Sequence, residues 1–510
     1  MSRKLPDIRS ALSLTVAVAV TVQIVVGAVW WALNLNDLPD YGDTQEYIRL
    51  AGTLQVDSYR TLAYPMVVRL GIAFDSHTGL DSWLPIYLLQ TAVAAWAAWY
   101  LVGTILPKIR RRPRIFVSAG VLTFPLTLHY TVTILTDSLA TSFFILSISS
   151  LARMVSPIRK GNTPVVVALA GTVGAVMIRP EKFYVILILV GMCILYLLFR
   201  NRTSQRIGRP SQSPAVASLI GAIVVLFVLP GFAVNMFNHS TQTAHLGRPP
   251  ATLAGALYDR VAWPHLEEIR SQLPPSVQAI LPPNFKILPH EPNVPEKAAV
   301  LASLRAADGG GDAQTMQAVW RALDCCGRSV AEESSVDIAK SFAAPITLVV
   351  DWASGRGGAT SWNLSRMSAA HPNLSLAYLL WSSALTSLLI IAAFYNLWSF
   401  RTSRLVSFSP VATISILIGG ALFNAIFFGL ITSLDVNLRY ALTNYVVMIA
   451  LLLSLILAPA NYLRGSKRQN DVGPGLAPWN ERSHRSQIAP PSVYGHSDNG
   501  VIVSDEGPTG

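Results

Sequence analysis

Long apolar runs alternate with short polar breaks along this chain. Runs close to bilayer-spanning length recur at about 11–33, 82–105, 115–133, 135–152, 164–178, 183–199, 216–236, 373–398, 409–433 and 440–459. An α-helix of about 20 residues crosses the hydrocarbon core. A chain in lipid must satisfy its backbone internally, so such runs become helices. The pattern predicts an all-α polytopic membrane protein of about ten transmembrane helices. The first run is too long for a signal-peptide core and no clear cleavage site follows, so it reads as an uncleaved anchor.

Two long polar stretches interrupt the rhythm, 34–81 and 237–372. In the first, TQEYIRLAGTL places Tyr47, Leu50, Ala51 and Leu54 at helical spacing. That predicts a short amphipathic helix lying in the interface plane. The chain then turns at YRTLAYP and becomes apolar again from Met66 to Phe74. In the second stretch, prolines crowd 247–295 and predict extended or turning backbone. Helical patterns follow over 296–306 and about 312–352, broken at Gly309 to Gly311. There AQTMQAVWRAL sets Met316, Val319, Trp320 and Leu323 on one face. This stretch reads as a mostly helical cap. Residues from 464 on are rich in Gly, Pro, Ser and Asn without an apolar period, which predicts disorder. The expected division is a transmembrane module (1–236), a cap (237–372), further transmembrane helices (373–463) and a tail (464–510).

Composition agrees with the bilayer. Of 510 residues, 52% are hydrophobic and 13% charged, against about 25% charged in soluble domains. The net charge of +11 would suit a nucleic-acid partner, but the placement of the cations argues against one. They cluster at Arg3, Lys4 and Arg9, then at Lys108 to Arg114, Arg153 to Lys160, Arg200 to Arg209, Arg401 and Arg404, and Arg464 to Arg468. With ten spans and both termini cytoplasmic, every cluster falls on one side, as the positive-inside rule requires. The expectation is a multi-pass protein of the plasma (inner) membrane. Both long polar stretches then face outward.

Chemistry is sought on that outer face. LPDYGDTQEYIRLA (38–51) carries Asp40, Asp43 and Glu46 beside the end of the first span. Asp43 with Glu46 three positions on fits a helix-start capping box. Asp43 is also the candidate catalytic carboxylate. Asp137, in TILTDSLATSFF, opens the fourth span, where it could equally cap the helix. Arg179 and Lys182 in IRPEKF, and Arg439 in DVNLRY, are cations unexpected in short outer turns. They can pair with Glu181 and Asp435 or snorkel to headgroups. They can also bind a phosphate, for which the arginine fork is suited. His129 and His371, near outer span ends, read as structural. The cysteines are Cys193 in an apolar run and the adjacent Cys325 and Cys326, with neither metal-ligand spacing nor a disulfide framework. A bond between adjacent cysteines is not expected. There is no Gly-rich phosphate loop, Ser-His-Asp order or HExxH, which argues against an ATP-driven pump.

These residues, in this order, resemble the GT-C superfamily of membrane glycosyltransferases, nearest in layout to the bacterial mannosyltransferase-like and aminoarabinose-transferase-like members. The resemblance is carried by Asp43 after the first span, by Tyr47 and Ala51 behind it, and by Arg60, Tyr64 and Pro65 at the turn. Asp137 in LTDSL, Arg179 with Pro180, and Arg439 with Tyr440 continue it. It covers 10–240 well and 373–460 loosely; 237–372 has no counterpart. In this sequence Asp43 is followed by Thr44 and Gln45, not by the paired acidic motif of some relatives.

The resemblance implies transfer of a sugar from a polyprenyl-phosphate donor to a hydroxyl of a glycan, lipid or protein acceptor at the outer face, with inversion. It implies Asp43 as general base with Asp137 as second catalytic carboxylate. Arg179, Lys182, Arg439, Tyr440, Arg60 and Tyr64 would bind the donor and its phosphate. Asp40 or Asp137 would orient the acceptor or a divalent ion, Mg2+ or Mn2+, for which Asp40 and Asp43 are the candidate ligands. A transporter or flippase of polyprenyl-linked lipids is the alternative; it should show helices broken near the bilayer midplane. A lipid-linked glycan polymerase or ligase would instead place its chemistry in 237–372, at His245, Arg248, His265 or His290.

Overall fold

The structure, a computed structural model, describes residues 5–35, 42–55, 60–79, 83–107, 109–155, 163–206, 213–246, 253–281, 295–342, 346, 349, 371–401, 409–431 and 441–457. These are helical or turning throughout, with no strand among them. The N-terminal helices are α1 (Leu5–Leu33), α2 (Gly42–Thr53), α3 (Ala63–Thr78), α4 (Leu84–Ile105), α5 (Arg111–Leu122), α6 (Pro125–Thr131), α7 (Asp137–Val155), α8 (Thr163–Ile178) and α9 (Lys182–Arg206). Next come α10 (Ser213–Ile223) and α11 (Leu229–Leu246), joined by a π-helical turn (Val224–Val228). The cap follows as α12 (Leu253–Leu257), α13 (Leu266–Ile269), α14 (Pro275–Gln278), α15 (Pro295–Ala306) and α16 (Ala313–Phe342). The last three are α17 (Pro372–Arg401), α18 (Ser409–Ile431) and α19 (Leu442–Leu457).

Six of these runs are long and apolar enough to cross a membrane: Ala11–Leu33, Leu84–Ile105, Asp137–Val155, Lys182–Thr203, Pro214–Thr241 and Asn373–Asn396. Three shorter apolar helices, Val165–Ile178, Thr413–Gly429 and Leu442–Leu457, coincide with other expected spans. The expected span 115–133 is not one helix. It breaks between α5 and α6, where Phe124 is extended (φ −72°, ψ 146°) ahead of Pro125. Proline disfavours the helical conformation in the residue before it, so the apolar run cannot stay straight there. The π turn has a similar origin: Pro230 has no N–H to give and its ring crowds the carbonyl four residues back.

Helix α1 has an apolar outer face and a buried inner one. Leu14, Val18, Val22, Val25, Val29 and Leu33 form an exposed stripe, while Val16, Val20, Gln23 and Trp30 are buried. Polar bonds fix the buried face. Gln23 donates to the Thr123 carbonyl (2.8 Å) and accepts from Ser382 (3.0 Å), and the Trp30 indole donates to Ser375 (3.0 Å). The Tyr378 hydroxyl also donates to the Thr123 carbonyl, so the broken α5–α6 joint is satisfied by two helices.

Helix α7 is the central strut, almost wholly buried. Its small and hydroxylated residues let neighbours approach closely. A Cβ on Gly171 of α8 would meet the Ser147 nitrogen at 2.7 Å and the Phe143 carbonyl at 2.9 Å. Both are backbone atoms of α7 and cannot swing aside. Gly171→Ala is therefore expected to destabilise the bundle by about 1–3 kcal/mol, as overpacking does. Thermal unfolding in detergent would show this; an unchanged melting temperature would contradict such close packing.

The two ends of α7 differ in chemistry. Asp137 begins it and Arg153 lies in its last turn, about 24 Å away at the helical rise. At the Arg153 end, its guanidinium donates to Thr104 (2.7 Å) and to the Tyr100 carbonyl (2.8 Å) and stacks on the Tyr100 ring. Arg114 donates to the Trp99 carbonyl (2.9 Å) beside it. Arg114 and Arg153, taken from the sequence as lying on one side, thus lie at one end of the bundle. The acidic candidates lie at the other.

The cap has its own apolar centre, including Tyr258, Val261, Trp263, Leu266, Ile269, Val319 and Ala322. Of the face expected on α16, Val319 is buried but Trp320 is exposed. The helix kinks at Cys326 (φ −131°, ψ 16°), and Cys325 is bonded to Cys326, against expectation. Past the kink, α16 turns to the membrane helices. Arg260 ties it there, donating to Asp337 (2.8 Å) and to the Gly429 carbonyl (3.4 Å).

Candidate active site

Helix α2 forms where an amphipathic helix is expected. Thr44, Tyr47, Leu50 and Ala51 are its buried face. Leu54 falls outside that face, because the helix ends at Thr53 and Leu54 has a positive φ (50°) with a half-exposed side chain. The buried face rests on the turn 132–136: the Thr44 hydroxyl donates to the Ile134 carbonyl (3.3 Å), and the Tyr47 hydroxyl donates to Thr136 Oγ1 (3.5 Å). Asp43 lies in the first turn of α2. Its carboxylate accepts from Arg60 (2.6 Å), both side chains being partly exposed. Glu46 instead takes Arg49 on the exposed side.

Arg60 also packs over the Tyr47 ring (5.5 Å), and Tyr47 meets Tyr64 edge-on (5.0 Å). The Tyr64 hydroxyl donates to Gln90 (3.2 Å), which donates in turn to the carbonyls of Thr131 and Thr133. Burial holds the Tyr64 phenol well above its ordinary pKa, so it stays protonated. Tyr64 is thereby a wedge that seats the α3 entry and the 131–133 turn. Thr61 completes the seating by donating to the carbonyl of Ile178, the last residue of α8 (3.3 Å).

The second half of the site meets the first at Thr136. Arg179 Nε donates to Thr136 Oγ1 (3.0 Å), the same oxygen that Tyr47 approaches. Arg179 pairs with Asp137 (2.9 Å) and with Glu181 (3.3 Å). Both Arg179 and Asp137 are buried, and Asp137 Oδ2 has no hydrogen-bond partner among the described residues. Lys182 is buried too. It donates to Asn424 (2.6 Å) and lies against the rings of Phe428 (4.5 Å) and Phe144 (5.0 Å). It makes no ion pair among the described residues, unlike Arg60 and Arg179.

The structure thus brings Asp43, Arg60, Tyr64, Asp137, Arg179 and Lys182 to one end of the bundle, linked through Tyr47 and Thr136. Asp40, Arg439, Tyr440, Arg248 and His290 lie outside the described residues, as does the tail. His129 is buried against Trp30 and Tyr130 (ring centroids 6.1 and 5.2 Å). His371 precedes α17 and its carbonyl accepts from Ser375 (3.1 Å).

A metal ion fits the described part poorly. The Asp43 and Asp137 carboxylates each already hold a guanidinium, which opposes a second cation. Among the described residues, His265, Glu268 and Cys326 have ligand atoms within 4.8 Å of one another. The Cys326 sulfur is bonded to Cys325 and is no thiolate, so the group lacks a strong third ligand. Thr136, Asn424 and Asn444 were missed from sequence. Comparison with protein-family models, curated proteins and solved structures finds no match to this chain.

Proposed function

We propose that this chain is a GT-C-type membrane glycosyltransferase, moving a sugar from a polyprenyl-phosphate donor to an acceptor hydroxyl. The observation that carries the reading is that Tyr47, over which Arg60 of the Asp43–Arg60 pair packs, and Arg179, which pairs with Asp137, both bond to Thr136. In this reading the chain crosses the plasma membrane about ten times, with both termini cytoplasmic and the site outside.

The proposed reaction is a single displacement. The Asp43 carboxylate takes the proton of the acceptor hydroxyl. The hydroxyl oxygen bonds to the anomeric carbon as the bond from that carbon to the lipid phosphate breaks, and the centre inverts. The leaving phosphate gains charge, which fixed cations stabilise. Arg60 and Arg179 are already paired with carboxylates, so an arriving phosphate competes for them. Lys182 has an amide oxygen as its described polar partner, and is the cation best disposed to take the phosphate. Asp137, with one oxygen unused, would orient the acceptor.

Lys182→Met should weaken donor binding about ten- to a hundredfold, the scale of a hydrogen bond to a charged group. Retention of wild-type donor affinity would remove Lys182 from the site. The general test is glycan analysis of a deletion strain: one sugar should be missing from an envelope polymer, lipid or protein, and an unchanged inventory would sink the proposal.

A transporter would need freed backbone groups to hold its cargo. The chain does have a broken apolar segment at Phe124–Pro125, but its Thr123 carbonyl is taken by Gln23 and Tyr378. That break is a closed joint, and the π turn at Val224–Val228 keeps helical backbone bonding, Leu229 N–H donating to the Val224 carbonyl; neither interruption favours a transporter.

A further inference from the structure

A residue of the cap reaches the buried lysine through two asparagines. Lys182 Nζ donates to Asn424 Oδ1 (2.6 Å), Asn424 Nδ2 donates to Asn444 Oδ1 (3.0 Å), and Asn444 Nδ2 donates to Ser341 Oγ (3.1 Å). The Ser341 hydroxyl closes the series on the Ile338 carbonyl (2.7 Å). The four side chains come from α9, α18, α19 and the end of the cap helix α16, and none is more than 3% exposed.

The ammonium dictates the direction of the series. It can donate and cannot accept, so Asn424 must turn its oxygen to Lys182 and its NH2 to Asn444. Asn444 must then turn its NH2 to Ser341. Unsatisfied amides are costly at this burial, so each link holds the next. The cap is docked at the same place by a second contact: a Cβ on Gly429 would meet Ile338 of α16 at 3.1 Å, one residue beyond the Phe428 ring that covers Lys182.

We propose that Ser341 is a positioning residue for the donor site: the docked end of the cap helix sets, through Asn444 and Asn424, where the Lys182 ammonium points. This rests on the reading of Lys182 as the phosphate ligand. It gives the long insertion a role in donor binding. By linkage, the factor by which cap docking improves donor affinity is the factor by which donor improves docking.

The test uses the full-length protein in detergent, with farnesyl phosphate as probe and farnesol as its uncharged control. Wild type should prefer the phosphate. Ser341→Ala and Asn444→Leu should each lose about tenfold in phosphate affinity, with farnesol binding unchanged, and Ser341→Thr should retain it. Hydrogen exchange over residues 330–342 should quicken in Lys182→Met without any ligand. If wild type prefers the phosphate but Ser341→Ala binds it equally well, the positioning role is overturned and the donor reading stands. Unchanged exchange in Lys182→Met overturns the role as well. No preference for phosphate in wild type brings down the donor reading, and the positioning role with it.

Discussion

Asp43→Asn should abolish sugar transfer while leaving the protein folded and inserted. Asparagine keeps the shape and still offers Arg60 an oxygen, but it cannot take a proton at neutral pH. The Asp43–Arg60 pair is partly exposed, so its loss should cost no more than about 1 kcal/mol of stability. Loss of a general base lowers a rate by about 10²–10⁴-fold. The expected signature is therefore a normal melting temperature with transfer at background. The readout is whether the variant restores the missing sugar when returned to the deletion strain. Full restoration at matched expression would place the base elsewhere. Arg60→Ala separates the two roles of the pair: it should weaken transfer less, because the base remains.

The second large effect is on stability. Arg179→Met leaves the Asp137 carboxylate buried with neither oxygen well satisfied, since Oδ2 has no described partner to begin with. Stranding one member of a buried pair costs about 3–5 kcal/mol. Replacing both, as Arg179→Met with Asp137→Leu, should recover most of that loss while transfer stays absent. Melting temperatures of the two singles and the double give the coupling. If both singles melt like wild type, the pair is not the buried contact described above. Glu181, the other partner of Arg179, is partly exposed, so losing that contact adds less to the cost.

The outline of this protein was legible because its strongest signals are local. Span-length apolar runs can be read one segment at a time. Two of the clustered cations, Arg114 and Arg153, lie at one end of the bundle, opposite Asp137. The charged candidates stood out for the same reason: Arg179 and Lys182 are anomalies within their own few residues. What escaped notice depends on partners far along the chain. Thr136 is an ordinary threonine until Tyr47 and Arg179 converge on it. Asn424 and Asn444 look like isolated polar residues in apolar helices until they are seen end to end. The break at Phe124–Pro125 did carry a local signal, the proline, but the apolar run was read through it. The Cys325–Cys326 bond ran against the geometric expectation for neighbours, and it falls at the kink of α16.

The seating of α1 bears on how the chain is made. Lipid tails are as apolar as leucine, so the exposed stripe of α1 gains little from finding its neighbours. Its polar anchors decide, and two of them lie about 350 residues downstream: Trp30 on Ser375 and Gln23 on Ser382. Helix α1 therefore completes these buried contacts only after α17 has been inserted. A ribosome-stalled or truncated product ending before α17 should hold α1 loosely. Folding of the transmembrane bundle is in that sense closed from its C-terminal side.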